Sequence, residues 1–184
     1  VTVPADQAGR TYTGKPGERL YFSDQRRRFW LLENGEVWPI AGCDDLGLED
    51  GPGPFARFLY EGSYGGGHSG MVATGYSLYV IDNGRLRRIA RKNDGSWYVE
   101  TVAGKGGKTL APGQQGSLSE LAALGKGVTI DEQGNLYFTL NGGLVRADSN
   151  GKVTWVITAD KVASDLAAVY KPCLLYTSPS PRDR

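Results

Sequence analysis

Three stretches of the sequence decide the fold: Leu20-Tyr21-Phe22, Leu78-Tyr79-Val80 and Leu136-Tyr137-Phe138. They begin at positions 20, 78 and 136, so both intervals are 58 residues. A unit that recurs at a fixed spacing of this order is the signature of a repeat architecture. The three copies therefore predict three similar structural units in one chain.

Each copy has the same internal plan of two short apolar runs, an Asn-Gly or Asp-Gly pair, and a third apolar run. The pairs are Asn34-Gly35, Asp94-Gly95 and Asn150-Gly151. They supply the positive φ angles of a tight hairpin, so we expect the last two runs of each copy to pair antiparallel. Another candidate strand precedes each Leu-Tyr, most clearly at residues 128–130. Four short antiparallel strands per unit predict a propeller blade.

These stretches resemble the NHL repeat. Its pattern runs from a Gly-Ile/Val-Ala strand through a Leu-Tyr-Val-Ala-Asp strand and an Arg-Ile strand to a strand that ends in Ala-Gly. A loop with Asp-Gly, Ala-x-Phe and Pro follows. Residues 49–58 fit that loop closely and residues 116–124 fit it loosely. The third copy departs from the pattern with Leu140-Asn141 in place of Asp and Ala159-Asp160 in place of Ala-Gly.

The resemblance covers roughly residues 9–172. It implies an all-β fold, an NHL-like β-propeller in the form of an open arc of about three four-stranded antiparallel blades, or half of a six-bladed propeller. By this resemblance, we expect residues 1–172 to form the partial propeller, with blades at approximately 9–58, 59–124 and 125–172. Residues 165–172 match the loop that leads into the first strand of a next blade.

The last twelve residues, 173–184, do not continue the repeat. They resemble a translated adapter from a DNA sequencing library, and we expect them to be a non-native tail of a metagenomic sequence. The alternative is a natural Ser/Pro-rich tail. Since the chain also begins at Val1 without a Met, we expect both ends to be cut.

Composition excludes few function classes. The chain has 21 Lys and Arg against 20 Asp and Glu, a formal net charge of +1, so there is no global basic imbalance to favour nucleic acid. No apolar run is long enough to span a bilayer. Cys43 alone remains once Cys173 is set aside with the tail, and one Cys makes no internal disulfide. The compartment stays open, with a secreted or periplasmic location among the options.

Basic clusters occur in the first two copies, at residues 26–28 and 85–92. Arg groups of this kind can contact phosphates, and some NHL propellers bind RNA through such residues. The repeat pattern favours another interpretation, in which Arg at the start of the third strand pairs with Asp24 or Asp82. We therefore do not expect nucleic-acid binding as a function.

Metal and catalytic sites have weak support in this sequence. His68, the single His, lies in a Gly-rich loop, whereas a zinc site takes three or four N or S ligands. The acidic residues 44–50 could bind Ca²⁺, but they lack a regular Asp-x-Asp alternation, which favours solvated acids. No cofactor motif, catalytic set or metal set is identified. The alternative is a fragment of a metal-dependent six-bladed enzyme, lactonase-like or amidating-lyase-like, with most active-site residues outside this sequence.

Aromatic residues supply the remaining candidates. The four Trp residues fall in the third and fourth strands of their copies, where they could stack on a sugar or peptide; their recurrence favours packing between blades instead. The candidate ligand-binding residues, placed near loops, are Tyr12, Tyr64, His68 and Tyr76.

The resemblance implies a binding scaffold rather than an enzyme, with an unknown protein, peptide or carbohydrate as its ligand and the loops between blades as its recognition face. The end blades of an open arc would expose apolar faces, so we also expect the chain to self-associate.

Overall fold

The computed structural model describes residues 17–24, 26–59 and 70–169. The described part of the chain is all-β apart from one α-helix and two short 3₁₀ turns. Its strands form three antiparallel sheets of three, five and five strands. The all-β prediction is therefore confirmed.

The first sheet has the order β1-β2-β3. Its strands are β1 (Arg19–Ser23), β2 (Phe29–Glu33) and β3 (Glu36–Ala41). Asn34 and Gly35 join β2 to β3 with φ angles of 52° and 78°, as the predicted tight hairpin requires.

The second sheet has its strands in the order β4-β8-β7-β6-β5. They are β4 (Gly51–Pro52), β5 (Met71–Thr74), β6 (Ser77–Asp82), β7 (Arg85–Arg91) and β8 (Trp97–Ala103). The short strand β4 comes from the segment that follows the first sheet. It lies on the outer edge of β8.

The third sheet repeats this arrangement in the order β10-β11-β12-β13-β9. Its strands are β9 (Gly116–Ser117), β10 (Val128–Ile130), β11 (Leu136–Leu140), β12 (Gly143–Ala147) and β13 (Lys152–Ile157). Asp94-Gly95 and Asn150-Gly151 lie in the turns between the last two long strands of their sheets, so the predicted antiparallel pairing is confirmed in all three copies.

The three Leu-Tyr stretches occupy the same place in the three sheets, on β1, β6 and β11. Each of these strands pairs with the next strand in the chain, and the strand after that (β3, β8 or β13) carries a bulge at a matching position, with one extra residue opposite the following steps. These steps are Phe29/Trp30, Leu86/Arg87 and Leu144/Val145. A bulge bends and twists its strand, so its recurrence gives the three sheets a common local shape.

The core consists of two clusters that share the second sheet. Leu78 and Val80 belong to the cluster that contains Phe29 and Leu31 of the first sheet. Ile81 belongs to the cluster that contains Phe138 of the third sheet. Alternate residues of β6 thus face opposite neighbours, because side chains along a strand point to the two faces of the sheet in turn. The second sheet is therefore buried on both sides.

The helix α1 (Ala159–Val169) differs from expectation, because it covers much of the segment that we predicted to be a loop leading to a next blade. Ala residues are frequent in this segment, and Pro and Gly are absent, so local propensity favours a helix. Lys161 and Asp165, one turn apart, form an ion pair. The spacing of Ala and Pro in the sequence predicted a loop here and did not reveal this helix.

Candidate functional site

Of the four predicted ligand-binding residues, Tyr12, Tyr64 and His68 lie outside the described residues. Tyr76 is described, and it lies in the tight turn between β5 and β6. That turn places its half-buried ring against the first sheet, next to the hairpin that joins β2 to β3.

Tyr76 connects the first and second sheets through a polar cluster. Its hydroxyl donates to Glu33 Oε1 at 2.9 Å, and Arg19 Nε donates to the same oxygen at 2.7 Å. The Arg19 guanidinium also lies 3.7 Å from the centre of the Tyr76 ring, within the range of a cation–π contact. The Arg91 guanidinium approaches the same ring at 5.1 Å.

A cleft of about 420 Å³ opens beside this cluster, between the first sheet and one end of the second. Its lining comes from β2 and β3, from their connecting turn, and from the turn that joins β7 to β8. The lining residues are Leu31, Glu33, Asn34, Glu36, Trp38, Pro39, Arg91, Gly95 and Trp97. The volume is within the range of small-ligand pockets.

Two indoles give the cleft apolar surfaces of different exposure. Trp97 lies against Tyr76 and Tyr21, edge to face, with ring centres 6.4 and 6.5 Å apart. It therefore packs between two sheets, as predicted from the recurrence of Trp. Trp38 is 52 % exposed, so the packing interpretation is wrong for this residue. Glu36 and Pro39 of the same strand are also exposed, and the Trp38 indole is free to stack on a ligand.

Charges are distributed unevenly across the cleft. Burial raises the pKa of Glu33, but hydrogen bonds from Tyr76 and Arg19 and the charges of Arg19 and Arg91 outweigh it, so the net pKa is lowered. Glu33 is thus a stable carboxylate that already has partners. Glu36 is exposed and has no hydrogen bond or ion pair within the described residues. A free carboxylate therefore lies on the first-sheet side, opposite the guanidinium of Arg91.

The position of the cleft differs from the predicted recognition face. Glu33 pairs with Glu36 at the turn end of β2 and β3, whereas Phe29 pairs with Ala41 at the end from which the segment towards the second sheet departs. The cleft is at the turn end. The connecting segments, which we expected to form the recognition surface, leave from the opposite end of the sheet.

The basic clusters are largely committed to structural contacts. Arg28 Nε lies 2.7 Å from Asp24 Oδ2, and Arg87 Nη1 lies 2.9 Å from Asp82 Oδ2. The predicted pairing of repeat Arg residues with Asp24 and Asp82 is confirmed. Such pairing leaves these guanidinium groups poorly available for phosphates.

The acidic segment is also paired with cations. Asp45 lies 3.4 Å from Arg57, and Asp50 lies 3.1 Å from Arg87 and also contacts Lys105. Within the described ranges, no group of three or more His, Cys, Asp or Glu residues is placed to hold a metal ion. In the same ranges, no helix is both long and apolar enough to cross a membrane.

No protein-family model matches the chain. A search of the curated proteins also gives no match. The geometry of the cleft is therefore the basis for a functional proposal. It combines an exposed indole, an unpaired carboxylate and a guanidinium around a cavity of ligand size.

Proposed function

We propose that the chain is part of an NHL-like β-propeller that works as a binding scaffold, with the cleft between the first two sheets as its ligand site. The proposal takes each sheet as one blade, in an open arc of three out of six. Support comes from the shared strand order, the recurrent bulge and the two cores that join successive sheets. The short strands β4 and β9 are additions to four strands in the second and third sheets, and the first sheet has three strands within the described residues.

One observation carries the functional part of the proposal: Trp38 exposes half of its surface beside an unpaired Glu36. An exposed indole offers an apolar face, and the carboxylate, Asn34 and Arg91 offer polar groups that orient a ligand. A peptide or a carbohydrate has this combination of apolar and hydrogen-bonding surface.

The test is a screen of the chain on peptide and carbohydrate arrays, followed by affinity measurements with the best ligand. Trp38→Ala should weaken binding at least about tenfold, because truncation of a hot-spot aromatic costs about 2 kcal/mol or more and about 1.4 kcal/mol is tenfold. Val156→Ala is the control, since Val156 is 53 % exposed on the third sheet, away from the cleft. Equal affinities of the two variants for every array ligand would contradict the proposal.

A further inference from the structure

The outer edges of the second and third sheets are each covered by a strand of two residues. On β8, Gly51 lies opposite Val99 and Pro52 opposite Tyr98. On β13, Gly116 lies opposite Val153 and Ser117 opposite Lys152. In both sheets, a Gly thus pairs with a Val near the start of the outermost long strand.

The equivalent position of the first sheet is Val37. In the first sheet, Leu20 lies opposite Leu32, and Leu32 lies opposite Val37. In the other two sheets, the corresponding leucines lead through the same two strand pairings to Val99 and Val153. Within the described residues, β3 pairs only with β2, so no strand covers its outer edge. In two sheets of this molecule, the equivalent edge thus pairs with a short strand that places a Gly opposite a Val.

The free edge of β3 offers few backbone groups. In a two-residue hairpin, the residues that flank the turn, here Glu33 and Glu36, form a hydrogen-bonded pair, and pairs alternate from there. The N–H and C=O of Val37 therefore point away from β2, towards the open edge. Pro39, the next residue with this orientation, has no N–H to donate. The edge can accordingly pair with a short strand centred on Val37.

The side chains beside this edge determine which residues a strand paired with it would favour. Directly opposed residues of an antiparallel pair lie on the same face of the sheet. A strand with Gly opposite Val37 would place its next residue opposite Glu36 and its preceding residue opposite Trp38. Both of these side chains line the cleft. Glu36 favours a cation as its neighbour, and the half-exposed indole of Trp38 favours an apolar group.

We propose that the outer edge of β3 binds an extended peptide of the form apolar–Gly–basic, antiparallel to β3, with its Gly opposite Val37. This inference rests on the proposed binding function and specifies its ligand class. The peptide adds a strand to the sheet, as β4 and β9 do in the other two sheets, while its flanking side chains enter the cleft.

The test uses the pentapeptide acetyl-Ser-Leu-Gly-Arg-Ser-amide and the whole chain labelled with ¹⁵N. At a peptide concentration ten times the Kd, hydrogen exchange of the Val37 amide should slow about tenfold. The matched peptide with N-methylglycine in place of Gly cannot donate to the Val37 carbonyl. It should bind at least tenfold more weakly.

A charge-reversal variant separately tests whether Glu36 selects a basic residue in the peptide. Glu36→Lys should weaken binding of the Arg peptide about two- to fivefold and strengthen binding of the same peptide with Glu in place of Arg, since opposed cross-strand charges attract and like charges repel. Glu36 is exposed, so we expect the variant to fold. Its circular dichroism spectrum and urea midpoint check this.

Four outcomes would overturn the inference. Slow exchange of Val37 in the free chain would mean that another part of the chain covers the edge. Equal binding of the N-methylglycine peptide would mean that the edge does not pair. Failure of the peptide while an array ligand still depends on Trp38 would reject this ligand class and leave the proposed function standing. If no ligand depends on Trp38, both proposals fail.

Discussion

At the residue scale, Arg87 is a fully buried charged group. Its guanidinium is 0 % exposed, and so is its partner Asp82. Arg87 also donates to the carbonyl oxygens of Glu49 at 2.8 Å and Arg57 at 2.9 Å. These contacts hold the segment after the first sheet against β7. A buried charge is tolerated only with such a set of partners.

We expect Arg87→Met to lower the free energy of unfolding by about 3–5 kcal/mol, because it leaves the Asp82 carboxylate buried beside an apolar side chain. Arg88→Ala on the same strand is the control. Its partner Glu100 is half exposed, so we expect a loss of at most about 1 kcal/mol. Urea unfolding measures both. Equal losses would show that the buried pair has no special role.

Asp50 makes stability depend on pH. Burial raises its pKa, but hydrogen bonds from Lys105 and Thr101 and the charge of Arg87 outweigh it, so the net pKa is lowered. A carboxyl whose pKa is lowered by folding stabilises the protein above its unfolded pKa, about 3.9 for Asp. That stability disappears as the pH falls through the folded value. As the pH falls below 5, we therefore expect the free energy of unfolding of Asp50→Asn to decrease less than that of the wild-type chain. An unchanged slope in urea unfolding at several pH values would contradict this assignment.

Part of this residue-scale picture could be predicted from sequence. The repeat pattern predicted that an Arg of the third strand pairs with Asp82, but it did not distinguish Arg87 from Arg85. The contacts of Arg87 with residues 49–57 depend on how a segment some thirty residues earlier folds over the sheet. Local patterns carry no signal for such contacts.

At the element scale, Gly42 and Gly104 end the last strands of the first two sheets. Their φ angles are 91° and 92°, in the region that favours Gly. An added Cβ would lie 2.1 Å from the Arg27 carbonyl oxygen at Gly42 and 2.5 Å from the Gly84 oxygen at Gly104. By strand register, the third copy has Ile157-Thr158 at this place, and its chain continues into α1 instead. This departure from the repeat pattern thus marks a real change of structure.

We expect Gly104→Ala to destabilise the protein by about 1–3 kcal/mol, because it combines an unfavourable φ with a backbone clash. The matched control is Gly107→Ala, where nothing lies within 4 Å of the added Cβ. The control should be close to neutral, since less freedom in the unfolded chain favours Ala. Thermal unfolding of the two variants checks this. A neutral Gly104→Ala would contradict the strain argument.

Turns were the elements best predicted from sequence, yet some were missed. Asn83-Gly84 and Asn141-Gly142 each have two positive φ angles and join the second and third long strands of their sheets. In the third copy, Leu140 stands where Asp is usual, whereas Asn141 matches Asn83 of the second copy. The φ of 46° at Asn141 explains the residue, because Asn tolerates this conformation better than most side chains.

At the scale of the whole molecule, the outer face of the first sheet differs from its equivalents. Leu20, Leu78 and Leu136 hold the same place in the three copies, but they are 47 %, 0 % and 7 % exposed. Leu78 is covered by the first sheet, and Leu136 by the second. Phe22 and Trp30 stack on one another beside Leu20. This face therefore resembles the buried side of the other two sheets.

We expect the chain to self-associate through this face, because exposed apolar patches favour association. Leu20→Lys should shift the sedimentation coefficient towards that of a monomer over a range of protein concentrations. Val156→Lys changes a similarly exposed apolar residue on the third sheet and should leave the association unchanged. A wild-type chain that stays monomeric at every concentration would contradict this prediction.

The candidate site was the least predictable feature at this scale. The 58-residue spacing indicated that there are three units, but the cleft joins Glu33 to Arg91 and Trp38 to Trp97 across two of them. Its position depends on how neighbouring sheets pack, which no single repeat encodes. The recurrence of Trp was the one available signal, and it did not distinguish the packed Trp97 from the exposed Trp38.

The most direct test of the binding account is the indole N–H spectrum of the ¹⁵N-labelled chain during titration with the best array ligand. Four Trp residues give four signals, and two serve as internal references, because Trp30 donates to Asp24 and Trp155 to the Ala111 carbonyl. We predict that the signals of Trp38 and Trp97 shift while the other two stay in place. A ligand that shifts only Trp30 or Trp155 would show that the binding site lies elsewhere.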